Sequence, residues 1–268
     1  MRKPPARPLV VASDLDGTLL RPDGTVDERS RRALDAVQDA GVLLVLCTAR
    51  PPRWLRPIAQ AIGHQGLAVC ANGGLVWDLG TESVLETVAL EPSALREVVA
   101  RLKEALPGGS WAVETADGFG HEPSYEPRWP VPEGTVVGAV DALIDQPAIK
   151  LLLRHRDLSA DALLERARSV VGGLAELSHS SSSDALLEIA APGVSKATAL
   201  AQLCEERVIG REAVVAFGDM PNDLPMLAWA GYAIAVANAH PDVLAAADEV
   251  TASNDDAGVA RVLERLFF

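Results

Sequence analysis

Five short apolar runs, four of them closing on a polar residue, constrain this chain more than any other feature. Residues 9–12 lead into Ser13-Asp14, 42–46 into Cys47-Thr48, Leu67–Cys70 into Asn72, and 213–217 into Gly218-Asp219; 232–236 make the fifth. Strands that are apolar without alternation must be covered on both faces, which is the condition of a parallel α/β sheet. The helical patterns between them carry their own punctuation. Asp27 is placed to cap a helix in which Ala33, Leu34, Val37 and Ala40 share a face, and Gly41 closes it. Pro51 and Pro52 predict the start of a helix running to Ile62 with Gly63 as its stop, and Pro221 opens another that ends near Gly231.

The middle of the chain reads differently. Helical patterns at 93–106 and 159–171, strands at 148–153 and 186–189, and a Pro-rich stretch at 122–134 describe a smaller α+β unit. The expected division is a catalytic core of residues 1–83 and 191–268, with residues 84–190 inserted as a second domain. The serine run 180–183 is the only low-complexity patch and is expected to be a loop.

Charge narrows the partners. The formal net charge is −13 and the isoelectric point is about 4.8, a balance that repels nucleic-acid backbones and anionic lipid surfaces. Neither a nucleic-acid nor a membrane partner is expected, and any phosphate-bearing ligand needs locally placed positive charge. Cys47, Cys70 and Cys204 form no disulfide pattern, and the apolar run 9–12 after the basic N-terminus is far too short for a signal peptide or a membrane span, so a cytoplasmic, reducing location is expected.

The chemistry sits at the strand ends. In open parallel sheets the carboxyl ends of the strands line the ligand crevice, so Asp14, Thr48, Asn72 and Asp219 should converge. Asp14-Leu15-Asp16-Gly17-Thr18 places two carboxylates two residues apart, with a glycine where the chain must turn sharply. An acidic turn would account for this pentapeptide alone. An EF-hand would not, since it requires glycine where Leu19 stands. Gly218-Asp219-Met220-Pro221-Asn222-Asp223 adds two carboxylates and an amide at a helix start, where capping is the ordinary role. Four carboxylates brought together without a neutralising partner make a poor core, and a hard divalent cation resolves the conflict. Thr48 would ordinarily cap a helix, and Lys196, one of four lysines, would ordinarily be a solvated surface group. Both gain meaning beside a phosphate, which needs a hydroxyl and a cation.

The order Asp14-Leu15-Asp16-Gly17-Thr18-Leu19, Thr48-Ala49-Arg50, Lys196, then Gly218-Asp219 with Asn222-Asp223 resembles the haloacid dehalogenase superfamily, and within it the Cof-type sugar-phosphatase branch. Asn72-Gly73-Gly74, Gly193-Val194-Ser195-Lys196 and Ala237-Asn238-Ala239 extend the likeness over nearly the whole chain. The family more often has Thr-Gly-Arg and Asn-Gly-Ala where this chain has Thr48-Ala49-Arg50 and Asn72-Gly73-Gly74; neither change removes a catalytic group. The resemblance implies a Rossmann-like parallel-sheet core with an inserted α+β cap that selects the substrate. It implies a Mg2+-dependent phosphatase of small phosphorylated metabolites that works through an aspartyl-phosphate. Asp14 would be the nucleophile and Asp16 the acid and base. Asp14, the backbone carbonyl of Asp16, and Asp219 would hold the metal, with Asp223 behind them. Gly17, Thr48, Lys196 and Asn222 would bind the phosphoryl group.

The cap residues His121, Tyr125, Arg128 and Trp129 in the Pro-rich stretch, and Lys150 and Arg154 on a strand, are candidate substrate contacts. A surface loop with a few buried rings is the ordinary reading of that stretch. A phosphotransferase such as a phosphosugar mutase, or an idle phosphometabolite-binding protein, would use the same motifs. A P-loop enzyme is excluded by the lack of its glycine-lysine motif.

Overall fold

The apolar runs form the strands expected of them. In the computed structural model, which describes residues 2–116, 118–128, 130–180 and 185–267, the first becomes β1 (Val10–Ser13) and leads to α1 (Glu28–Asp39). Asp27 caps α1 by accepting from the N–H groups of Arg29 and Ser30. The next elements are β2 (Leu43–Cys47), α2 (Arg56–Ala61), β3 (Leu67–Cys70), β4 (Leu75–Asp78) and β5 (Ser83–Thr87). The helix expected from Pro51 is broken: a 3-10 turn at Pro52–Trp54 precedes α2. Pro57 lacks the N–H that would bond back to Arg53, and its ring crowds the preceding turn.

An inserted segment follows, with α3 (Pro92–Ala105), β6 (Ser110–Glu114), β7 (Phe119–His121), β8 (Val136–Val137), α4 (Val140–Leu143), β9 (Lys150–Arg154), α5 (Ala160–Val171), β10 (Glu176–Ser178) and β11 (Leu186–Ala190). The chain then returns through α6 (Lys196–Glu205), β12 (Val214–Gly218), α7 (Leu224–Trp229), β13 (Tyr232–Ala235), α8 (Pro241–Ala246), β14 (Glu249–Val250) and α9 (Gly258–Phe267). Two compact units result, Met1–Glu86 with Ser195–Phe268, and Thr87–Val194. Trp129 and residues 181–183 of the serine run lie outside the described residues.

The larger unit holds an eight-stranded sheet in the order β14-β13-β12-β1-β2-β3-β4-β5. From β14 to β3 every pairing is parallel. β4 then runs antiparallel to β3, an extension the apolar-run pattern did not predict. A tight turn at Ala71–Gly73 sends the chain straight back, and two strands joined that closely can pair only antiparallel. All residues of β1, β12 and β13 are buried, which requires cover on both faces. The helix pairs α1 with α9 and α6 with α7 supply it.

The order of strands positions the site. From β1 the chain moves outward to β2 and β3, then returns to lay β12 on the other side of β1 and moves outward again. The loops leaving β1 and β12 therefore diverge and leave a crevice at their carboxyl ends, where ligands bind in such sheets.

The smaller unit has a six-stranded sheet, β10-β11-β9-β6-β7-β8. Its pairings are antiparallel except β7 with β8. Alternate residues such as Trp111, Val113, Leu151, Leu153, Leu187 and Ile189 join α3 and α5 in one apolar core.

Candidate active site

Asp14 follows directly on β1, and its N–H bonds to the carbonyl of Phe217 on β12 at 3.0 Å. Asp219 follows β12. The register of these two central strands therefore places the two aspartates side by side, although they are more than two hundred positions apart in sequence. Gly17 turns the chain under them with φ +82°, and a Cβ there would run into the Asp219 carboxylate. Thr18 donates its hydroxyl to Asp219 Oδ1 at 2.8 Å. The glycine is thus needed both for its backbone angle and for its lack of a side chain.

Lys196, which without a phosphate site would ordinarily lie at the surface, is completely buried. It opens α6, whose start is set by a capping box between Ser195 and Thr198. Its ammonium donates to Asp14 Oδ1 and, at 2.6 Å, to Asp223 Oδ1. The other oxygen of Asp223 accepts the N–H groups of Asp219 (2.9 Å) and Met220 (3.1 Å). Both Asp223 oxygens are thereby engaged, one by Lys196 and the other by the Asp219 loop.

Electrostatics follow from burial. Asp14, Asp219 and Asp223 each offer a carboxylate oxygen, all within 4.8 Å of one another. Against them stands the Lys196 ammonium, which leaves two formal negative charges uncompensated in a buried cluster. Burial pushes the Asp14 carboxyl well above its ordinary value, against the pull of Lys196. Burial, and then the charge of Asp223, lifts Asp219 to about 7. Burial works to lower the Lys196 ammonium, but Asp14 and Asp223 outweigh it and hold it protonated. Among the described residues the group placed to hold an ion is these three carboxylates, hard oxygen donors, and their excess charge is that of one divalent cation of the magnesium or calcium type. The residues present fit such an ion.

The remaining predicted residues divide. Thr48 is buried; its hydroxyl accepts from the Arg50 N–H at 3.1 Å, and its O–H can still donate. Asn222 is buried and donates Nδ2 to Asn72 Oδ1 at 3.0 Å, while its own Oδ1 has no partner among the described residues. The Asp16 side chain does not join the buried cluster. It is about half exposed and is gripped by Arg50, whose Nε donates to Oδ2 at 2.6 Å and whose Nη2 donates to Oδ1. Arg50 is a functional candidate that sequence reasoning misses; an arginine two residues after a strand-end threonine is the available signal. Asn238 is a second, donating to the Gly17 carbonyl at 2.7 Å.

In the smaller unit, Tyr125 is buried and packs with His121 (ring centroids 6.1 Å apart) and Phe119 (6.5 Å), while Arg154 lies over its ring at 5.2 Å. Lys150 is buried and paired with Glu188 at 2.7 Å, so its charge is compensated within the sheet. Arg128 is exposed.

A family model described as haloacid dehalogenase-like hydrolase matches residues 11–263. The pyridoxal phosphate phosphatase YbhA of Escherichia coli is 30% identical over 266 residues, 95% of this chain and 97% of that one. The 5-amino-6-(5-phospho-D-ribitylamino)uracil phosphatase YcsE of Bacillus subtilis is 27% identical over 254 residues, 95% and 94% of the two chains. Among solved structures, a phosphatase of the haloalkanoate superfamily from Bacteroides thetaiotaomicron superposes with a TM-score of 0.82, covering 99% of this chain and 97% of its own at 24% identity. The chain belongs to the haloacid dehalogenase-like hydrolase family. It is accordingly an enzyme, with the α/β core and additional cap of that fold. Among the described residues no helix is long and apolar enough to cross a membrane.

Proposed function

We propose that the chain is a Mg2+-dependent phosphatase that hydrolyses a small phosphorylated metabolite through an aspartyl-phosphate on Asp14. The observation that carries this reading is the buried contact of Asp14 with Lys196 beside Asp219, at the crevice where the strand order reverses. That arrangement supplies a carboxylate nucleophile and a fixed cation for the phosphoryl oxygens in one place. The named relatives, phosphatases of pyridoxal phosphate and of a ribitylaminouracil phosphate, are consistent with a small phosphomonoester.

In this reading Asp16 enters protonated, released from Arg50 to face the substrate; an oxygen of Asp14 attacks phosphorus as the bond to the substrate oxygen breaks, and the Asp16 proton passes to the departing alkoxide. Asp16 then takes a proton from the water that attacks the phosphorus of the aspartyl-phosphate, which releases inorganic phosphate and restores Asp14. Lys196, the Thr48 hydroxyl, the Gly17 N–H and one Asn222 N–H bind the phosphoryl oxygens, where positioning and charge supply most of the rate. Asp14, Asp219 and the backbone carbonyl of Asp16 would hold Mg2+, which when bound offsets the excess negative charge and draws electron density from the phosphoryl group. Arg50 holds the Asp16 carboxylate at the mouth of the resting site, ready to be released toward the substrate. The inserted unit, Thr87–Val194, is the cap domain that selects the substrate.

Phosphate release from a broad panel of small phosphorylated metabolites, with magnesium present and then chelated, tests this. Magnesium-dependent turnover of a few compounds is expected. No release from folded, magnesium-loaded protein would turn the reading toward a phosphotransferase or a binding protein.

A further inference from the structure

Three consecutive residues after β3 take the left-handed backbone conformation: Ala71 (φ +51°), Asn72 (φ +59°) and Gly73 (φ +104°). Two of them carry a Cβ, for which that conformation is strained, and strain of this kind persists only where the surroundings impose it. Here the surroundings are three segments of the proposed phosphoryl site. The Ala71 N–H bonds to the Arg50 carbonyl and the Asn72 N–H to the Thr48 carbonyl, each at 3.0 Å. Asn72 Oδ1 accepts from Asn222 Nδ2, also at 3.0 Å. Gly73 lies so close to the backbone of Ser195 that a Cβ would collide with it, and Ser195 is the residue that caps the helix opened by Lys196.

We infer that this arch is a positioning element for the phosphoryl-binding groups and that Asn72 is its central positioning residue. Through it Thr48, Lys196 and Asn222, which come from three distant parts of the chain, are set at fixed separations from one another. The left-handed turn is what lets one short loop reach all three. Its backbone N–H groups point at the strand-end threonine segment while its side chain points at the amide following β12. Asn suits the position because its short polar side chain tolerates the left-handed region and accepts a hydrogen bond there. This inference rests on the phosphatase reading above.

The test uses full-length protein with magnesium, p-nitrophenyl phosphate as substrate and inorganic phosphate as the binding probe. Asn72→Gly keeps the left-handed backbone without steric cost and removes the side chain that accepts from Asn222. The expected result is a rise of about tenfold in the inhibition constant of phosphate and a similar fall in kcat/KM, the scale of one lost hydrogen bond. The thermal midpoint should hold within about 2 °C. On an Asn222→Ala background the same substitution should cost clearly less than in wild type, because both remove one shared interaction. Wild-type phosphate affinity in Asn72→Gly, or losses that simply add in the double variant, overturns the inference. Failure of the wild-type protein itself to release or bind phosphate instead sinks the phosphatase reading, and the arch's role with it.

Discussion

Arg50 grips the carboxylate of Asp16 at both oxygens, through Nε and Nη2. This guanidinium is mostly shielded from solvent while the carboxylate is half exposed, so the arginine is the fixed partner and the aspartate the one being aimed. Lysine cannot reproduce a planar two-point grip. Arg50→Lys is expected to lower kcat about tenfold, and Asp16→Asn about 10²- to 10⁴-fold through lost proton transfer. Steady-state kinetics with the thermal midpoint as control checks both; unchanged turnover in Asp16→Asn removes its acid and base role.

Asp14→Asn removes the nucleophile while leaving the shape of the site intact. Turnover should fall by about 10³-fold or more, with no loss of folding stability, since one of three crowded carboxylates is neutralised. Near-normal turnover in that variant would eliminate Asp14 as the nucleophile.

Lys196→Met takes the buried counter-charge away from Asp14 and Asp223. Breaking a buried pair by removing one partner costs about 3–5 kcal/mol. Urea denaturation at neutral pH in a chelator should show a loss of that size, and magnesium should restore part of it. An unchanged denaturation midpoint would mean that the ammonium does not balance the cluster.

Magnesium and protons should compete for the same oxygens. Without metal, burial and then Asp223 lift the Asp219 carboxyl to about 7 from its ordinary 3.8. Between those values the folded state binds more protons than the unfolded state, so the Asp219 contribution to stability is present at low pH and lost as pH rises through about 7. Burial moves Asp14 in the same direction. The stability of metal-free wild type relative to Asp219→Asn should therefore decline between pH 4 and 7. The stabilisation that magnesium confers should grow over the same range, reaching about 2.7 kcal/mol at a hundred times its dissociation constant. A magnesium effect independent of pH would place the ion elsewhere.

Much of the core was legible in the chain itself. β3 spans Leu67–Cys70 as its apolar run predicts, and Asp27 caps α1 as its position predicts, because such signals are local: apolarity over four or five residues, or a polar oxygen next to free N–H groups. Breaks in the helices at Pro57 and Pro225 were local too, yet the simpler pattern of an opening proline and a closing glycine masked them. In the inserted unit only β9 and β11 were read, while β6 and β7 were not. Trp111, Val113 and Gly120 are buried by the pairing of those strands with each other and with β9, which short runs do not announce.

The sequence by itself determined which residue types stand at the ends of which strands, and so which chemistry was available: carboxylates, a hydroxyl, an amide and a lysine. Only the tertiary structure decided what each would touch. It buried Lys196 against Asp14 and Asp223, turned Asp16 toward Arg50, and joined Asn72 to Asn222 across 150 positions. The reason is physical. Capping and strand formation are settled within a few residues, whereas a charge buried among charges exists only once the sheet has brought β1 and β12 together and excluded the water between their ends.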